Sequence, residues 1–155
     1  MFDRIALLLV AAALALGIGG CGRGFQVATP DGFVELEHQE DYAYRATSAQ
    51  GVVLGVRAEQ NRPHGNLDFW TAAIDLKLRA QGYTATATGD VKTASGLSGK
   101  KLQYKQKWQE RPHTLWVVIF VTDKNVYVVE AGGDTRLFEK VEASIEKAVA
   151  SLVTS

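Results

Sequence analysis

The chain has 155 residues, with 17 Lys+Arg against 17 Asp+Glu and a formal net charge of +0. A neutral chain has no whole-molecule field that would gather a nucleic acid, and a single cysteine excludes an intrachain disulfide scaffold. With 46% hydrophobic residues, a chain of this size can stabilise one domain through its own core.

The first residues have the three zones of a secretory signal. Met1–Arg4 is a short polar start, and Ile5–Gly17 is an apolar core of Leu, Ala, Val and Ile. That core falls short of the roughly 20 apolar residues a membrane-spanning helix needs. Ile18-Gly19-Gly20 then narrows to small residues just before Cys21. The tetrapeptide resembles the lipobox of bacterial lipoproteins, with Ile in place of the usual first Leu. The resemblance implies that residues 1–20 are a cleaved signal peptide and that Cys21 carries a thioether-linked diacylglycerol, often with an amide-linked acyl chain. Each buried methylene contributes about 0.8 kcal/mol, and two or more chains make a stable anchor. Gly22, where Asp would favour retention at the inner membrane, implies the outer membrane, facing the periplasm, if the organism has one. The competing reading is an ordinary secretory signal with an incidental cysteine. Gly17-Ile18-Gly19-Gly20-Cys21-Gly22 also spells G-x-G-x-x-G, but inside a leader it lacks the βαβ setting that dinucleotide binding requires.

Residues 21–29 read as a lipidated tether, and residues 30–155 as a single domain that opens on the turn signal Pro30-Asp31-Gly32. Strand periodicity follows. Phe33–Glu37 is a short strand. Tyr42, Tyr44 and Ala46 alternate in a second, and Val52, Leu54, Val56 and Ala58 in a third, with Gln50-Gly51 as the hairpin turn between them. The Asn61–Asn66 stretch is a loop containing Pro63 and Gly65. Leu67–Gln81 is a helix, capped by Asn66, with Leu67, Trp70, Ile74 and Leu78 on one face and Gly82 as its stop. Tyr83–Thr88 alternates as a half-buried strand, Thr93–Gly99 is a loop, and Lys100–Trp108 resumes the alternation. Arg111-Pro112 marks a connection. The continuous apolar run Leu115–Val121 suits a central strand covered on both faces. Asp123-Lys124-Asn125 is a tight turn, Val126–Ala131 is the last strand, and Gly132-Gly133 interrupts the pattern. Asp134 caps a second helix with its apolar stripe at Phe138, Val141, Ile145, Ala148 and Leu152.

The fold class is therefore α+β. A central antiparallel sheet of about six to seven strands is flanked by two main amphipathic helices, in the order β-β-β-α-β-β-β-α. Short links favour antiparallel pairing, and amphipathic helices cover the sheet. This order resembles the PsbP-like family at several landmarks. They are Pro30-Asp31-Gly32-Phe33, Tyr42 and Tyr44, Trp70 in a helix ending at Gly82, Leu97-Ser98-Gly99 leading to Trp108, and Val128-Val129-Glu130-Ala131-Gly132 before a helix bearing Phe138 and Ile145. The resemblance spans roughly Phe25 to Leu152. It implies an α-β-α sandwich acting by binding or by assisting assembly, and it brings no catalytic residues with it.

Lys101, Lys105 and Lys107, with Lys100 beside them, form a candidate partner-binding face for an acidic protein, lipid headgroups or an anionic polymer. The alternative is a solvated strand face whose lysines discourage edge pairing. Trp70 and Trp108 are candidate cleft residues, whereas Trp116 belongs to the central strand and the core. Glu35, Glu37, His38, Glu40 and Asp41 form an acidic run read as a solvated strand end, because metal binding needs ligands converging in fixed geometry. His64 and His113 read as surface residues beside prolines. No Ser stands in a nucleophile elbow, and Gly99-Lys100 lacks the remainder of a P-loop. The expectation is a non-enzymatic, lipid-anchored protein of the bacterial envelope, without metal or cofactor. It would bind an envelope protein partner or assist assembly, attached to the membrane through Cys21 and with no nucleic-acid role. The alternative is a carrier that binds a small apolar or anionic ligand in a helix–sheet cleft.

Overall fold

The computed structural model describes residues 24–37 and 40–155, so Cys21 and His38 lie outside the described residues. Among the described residues, nine strands and two helices follow one another: β1 (Phe25–Gln26), β2 (Phe33–Glu35), β3 (Tyr44–Ser48), β4 (Val53–Gln60), α1 (Leu67–Ala80), β5 (Thr84–Lys92), β6 (Ser98–Trp108), β7 (Arg111–Val121), β8 (Asn125–Asp134), α2 (Thr135–Ala150) and β9 (Val153–Thr154). Seven strands form one antiparallel sheet in the order β2-β3-β4-β8-β7-β6-β5, and β1 pairs with β9 in a separate ribbon. Four strands, not three, separate the helices. The half-buried segment after Gly82 is a full edge strand that continues to Lys92 in register with β6.

Local chemistry places the elements. Gly51 has φ +84 and donates its N–H to Ser48 O at 3.0 Å, closing the β3–β4 hairpin. The Asn66 side chain accepts from Phe69 N at 2.9 Å, and that of Asp134 from Arg136 N at 3.0 Å, so each helix start has an orphan N–H satisfied.

The two sheet faces are covered unequally. α2 buries Phe138, Ile145, Ala148 and Val149 against one face, where Leu54, Val56, Trp116, Val118, Phe120 and Val129 point. Trp116 and Phe138 meet edge to face at 5.0 Å. A fully buried side chain of this kind contributes about 1.5–3 kcal/mol. α1 lies on the other face over β6 and β7, with Leu67, Trp70, Ile74 and Leu78 packed on Leu102, Tyr104, Val117 and Ile119. None of its own residues is fully buried. Among the described residues, the same face over β3, β4 and the end of β8 has no helix above it.

Three further expectations are corrected. Residues 24–29 are folded rather than tether. Phe25 is buried against Tyr127 at 5.7 Å, Gly24 O accepts from Tyr127 Oη at 3.0 Å, and Ala28 N donates to Ser151 Oγ at 2.8 Å. Gly132-Gly133 does not break the sheet, because β8 runs through both. A Cβ on Gly133 would stand 3.1 Å from Val52 Cγ2, so here glycine permits a close approach. Arg111-Pro112 lies inside β7, and the turn precedes it at Gln109-Glu110. The β8 ladder ends opposite His113, so Pro112, which lacks an N–H, sits where β7 has lost that neighbour.

Candidate functional site

Two features stand out on the side of the sheet that α2 leaves free or at its edge. The first is the β6–β7 hairpin. β5 pairs with β6 only as far as Lys105, and β8 pairs with β7 only as far as His113. Beyond those points Gln106 to Pro112 projects as a two-stranded arm. Trp108 is 62% exposed near its tip, directly opposite Arg111, and Lys105 and Lys107 are exposed on the other face of the ribbon. The turn residues Gln109 and Glu110 have φ 48 and 61, a left-handed pair without glycine. Left-handed backbone costs a non-glycine residue about 1–2 kcal/mol.

The second feature is a groove of about 280 Å³ between the C-terminal end of α1 and the uncovered strands. Register builds it. Arg45 pairs with Gly55, which pairs with Glu130, and Val53 pairs with Gly132, which pairs with Leu115. Two positions of the floor are therefore glycine. Tyr42 lies over Gly55, where a Cβ would stand 2.5 Å from Tyr42 Cδ1. Tyr42 Oη donates to Glu130 Oε2 at 2.7 Å. Arg57 Nη2 donates to Tyr42 Oη at 2.9 Å, and Arg57 Nε to Glu130 Oε2 at 3.2 Å. The Arg57 and Arg45 guanidiniums lie 4.3 and 5.3 Å from the Tyr42 ring centroid, within cation–π reach. Burial, then the Glu130 carboxylate, push the Tyr42 phenol above its ordinary pKa. Burial works against the Arg57 charge, but Glu130 and Tyr42 outweigh it and raise its pKa. Near neutrality Tyr42 is a hydrogen-bond donor and Arg57 a fixed cation. A phenol that donates and a guanidinium that stays charged can together orient a polar or anionic group.

The residues singled out from sequence are dispersed. Lys101 turns toward α2, with Nζ 4.1 Å from the Trp116 ring and 3.3 Å from Glu146 Oε1, so it does not share a free face with Lys105 and Lys107. Lys100 pairs with Asp90 across the sheet edge. Trp70 Nε1 donates to Asn61 Oδ1 at 2.8 Å, and Asn61 Nδ2 donates to Thr122 O, beside the C-terminal end of β7. Trp108 stands at the other end of that strand, roughly 30 Å away at strand rise. Trp70 and Trp108 do not line one cleft. Tyr42 and Glu130 stand among the landmarks of the resemblance but, like Arg57, were not candidate site residues, and no local signal brings them together, since the Tyr42–Glu130 bond spans 88 positions of chain.

A scan against protein-family models and a search of the curated proteins found no match. Solved structures do match. LpqN, involved in cell envelope biogenesis of Mycobacterium tuberculosis, superposes with a TM-score of 0.68 at 10% identity, over 88% of this chain and 88% of that one. The cyanobacterial PsbP of Synechocystis gives 0.57 at 10% identity, over 85% and 87%. The fold is PsbP-like. A Pseudomonas aeruginosa protein of unknown function gives 0.58 at 14% identity, over 79% and 81%. At these identities the likeness concerns the fold, and the site must be argued from its own residues.

Proposed function

We propose that the chain is a non-enzymatic binding protein of the bacterial envelope, held to the membrane by lipid on Cys21, that docks an acidic protein partner or assists its assembly. The observation that carries this is the projecting β6–β7 arm, with Trp108 exposed beside Arg111 on one face and Lys105 and Lys107 exposed on the other. A large exposed aromatic beside cations is the side-chain type that anchors interfaces. Its cations suit an acidic surface and speed encounter with one. The likeness to a mycobacterial protein involved in envelope biogenesis supports the location. Only residues 22–24 separate Cys21 from β1, so a lipid on Cys21 would hold the fold within about 14 Å of the bilayer surface.

The test is capture of membrane proteins by the full chain, wild type against Trp108→Ala and against Lys105→Glu with Lys107→Glu. A partner lost with both variants, and with Cys21→Ser releasing the chain from membranes, is the expected result. Capture indifferent to both arm variants would exclude the arm as the docking surface. A second reading, a carrier of a small apolar or anionic ligand, is favoured by the groove beside α1, which is separate from the arm.

A further inference from the structure

We infer that the anchored fold stands end-on at the bilayer, on the loops that join β4 to α1 and β7 to β8, with the β6–β7 arm pointing away from the membrane. This rests on the lipid reading of Cys21 and goes beyond it by naming the surface that meets the headgroups. The path of the chain decides which end that is. Gly24 is three residues past Cys21, so it stays within about 11 Å of a lipid-bearing Cys21. Gly24 O accepts from Tyr127 Oη at 3.0 Å and from Ser155 N at 3.1 Å, and Asn125 Nδ2 donates to the same Tyr127 Oη at 3.2 Å. Gly24 is thereby held near the start of β8. β4, β5 and β7 finish at this end, and β6 and β8 start from it. Asn61 N donates to Lys124 O at 2.8 Å and Trp70 Nε1 to Asn61 Oδ1 at 2.8 Å, so the start of α1 belongs to the same end. Trp108 stands at the opposite end of the β6–β7 hairpin, roughly 30 Å away at strand rise.

The exposed apolar side chains choose between standing and lying. A fold tethered at Gly24 could also lie along α2, on the side of the sheet where Phe25 is buried. The outer side of α2 offers a bilayer only charged side chains such as Arg136, Glu139, Lys140 and Lys147, and no large apolar residue is exposed on it. Phe69 and Val153, 49% and 45% exposed, lie at the Gly24 end on opposite sides of the sheet, one in the first turn of α1 and the other in the β1–β9 ribbon. A flat surface that touches both runs across the strand ends. Between them the two loops form a polar cleft of about 730 Å³ lined by Arg62, His64, Asp123 and Lys124. Arg62, Asp123 and Lys124 form no ion pair among the described residues. Exposed Arg62, Lys92 and Lys124 are matched at this end by exposed Glu59, Asp68 and Asp123. A charge-balanced surface of this kind fits zwitterionic headgroups, whose phosphates meet the cations and whose ammonium groups meet the acids. Phe69 and Val153 then enter the boundary between headgroups and acyl chains. The lipid on Cys21 supplies attachment, and this surface sets direction. The arm consequently meets a part of its partner that stands off the membrane.

The experiment expresses the full chain with its own leader, purifies it from membranes and reconstitutes it in phosphatidylcholine nanodiscs that carry a gadolinium-chelate headgroup lipid. Intact mass reports the acyl chains on the protein, and loss of backbone amide signals then reports nearness to the headgroups. The expected result is loss of signal at residues 61–66 and 123–125. Signals of the arm, residues 106–111, and of residues 136–140 in the first half of α2 should be retained. Replacing part of the phosphatidylcholine by phosphatidylglycerol should leave this pattern unchanged. Phe69→Ser with Val153→Ser should restore signals at 61–66 and 123–125 while the chain stays membrane-bound. Loss of signal at the arm or at 136–140, a pattern that requires phosphatidylglycerol, or a pattern indifferent to the double variant would overturn the inference. An intact mass without acyl chains would overturn the anchor and the orientation together. A lipidated chain with the wrong amide pattern would overturn the orientation alone, so the two failures are distinguishable.

Discussion

Tyr104 is fully buried, yet its Oη donates to Asp75 Oδ1 at 2.7 Å, tying the core of the sheet to α1. Burial pulls the Asp75 pKa upward, but hydrogen bonds from Tyr104 and Arg79 outweigh it and hold the carboxyl below its ordinary value of 3.8. A depressed carboxylate adds stability that is present above the unfolded pKa and is lost as pH falls through the folded one. Asp75→Asn keeps an acceptor for Tyr104 but removes the charge. At pH 7 it should cost about 1 kcal/mol, the difference between a charged and a neutral acceptor. Urea unfolding at pH 7 and again below pH 3 checks the sign. The gap between wild type and variant should close at the lower pH, and a gap that persists would deny the Asp75 charge this role. Neither partner was legible alone. Tyr104 is one member of an alternating strand and Asp75 lies on a helix 29 residues away, so neither position alone points to the other.

At the scale of elements, legibility followed locality. Asn66 and Asp134 act within three residues of themselves, and each caps the helix its sequence position implied. Gly132-Gly133 deceived because its reason is distant: Val52 of the neighbouring hairpin presses against Gly133. The arm was missed for a different reason. A two-residue turn with both φ positive favours Asn-Gly, and Gln109-Glu110 carries no such signature. The same fact makes a prediction. Gln109→Asn with Glu110→Gly should relieve strain of about 1–2 kcal/mol and raise the unfolding temperature by about 3–6 °C. A melting curve that does not move upward would show that the turn is not strained. Capture of the partner should survive this change, since neither residue is Trp108 or one of the arm's cations.

At the scale of the whole molecule, the sandwich was readable because it rests on periodicity. Two amphipathic helices and alternating strands leave few other ways to bury their apolar faces. What periodicity could not show is how unequally the helices share the sheet. The same face of β6 and β7 that α1 covers is open over β3 and β4, and register alone brings Arg45, Gly55 and Glu130 into one row there. The β1–β9 ribbon was equally hidden. It joins the two ends of the described chain and turns an expected tether into fold. With Cys21 only a few residues before β1, we propose that an anchored fold presents its β6–β7 arm to a membrane-associated partner. Photocrosslinking in native membranes tests it most directly, with the reactive group placed at position 108 and, as a control, at the exposed Leu76 on the outer side of α1. One protein should crosslink from position 108, be absent from position 76 and be lost when Lys105 and Lys107 are reversed to Glu. The same adducts from both positions, or none from 108 while the chain is membrane-bound, would contradict it.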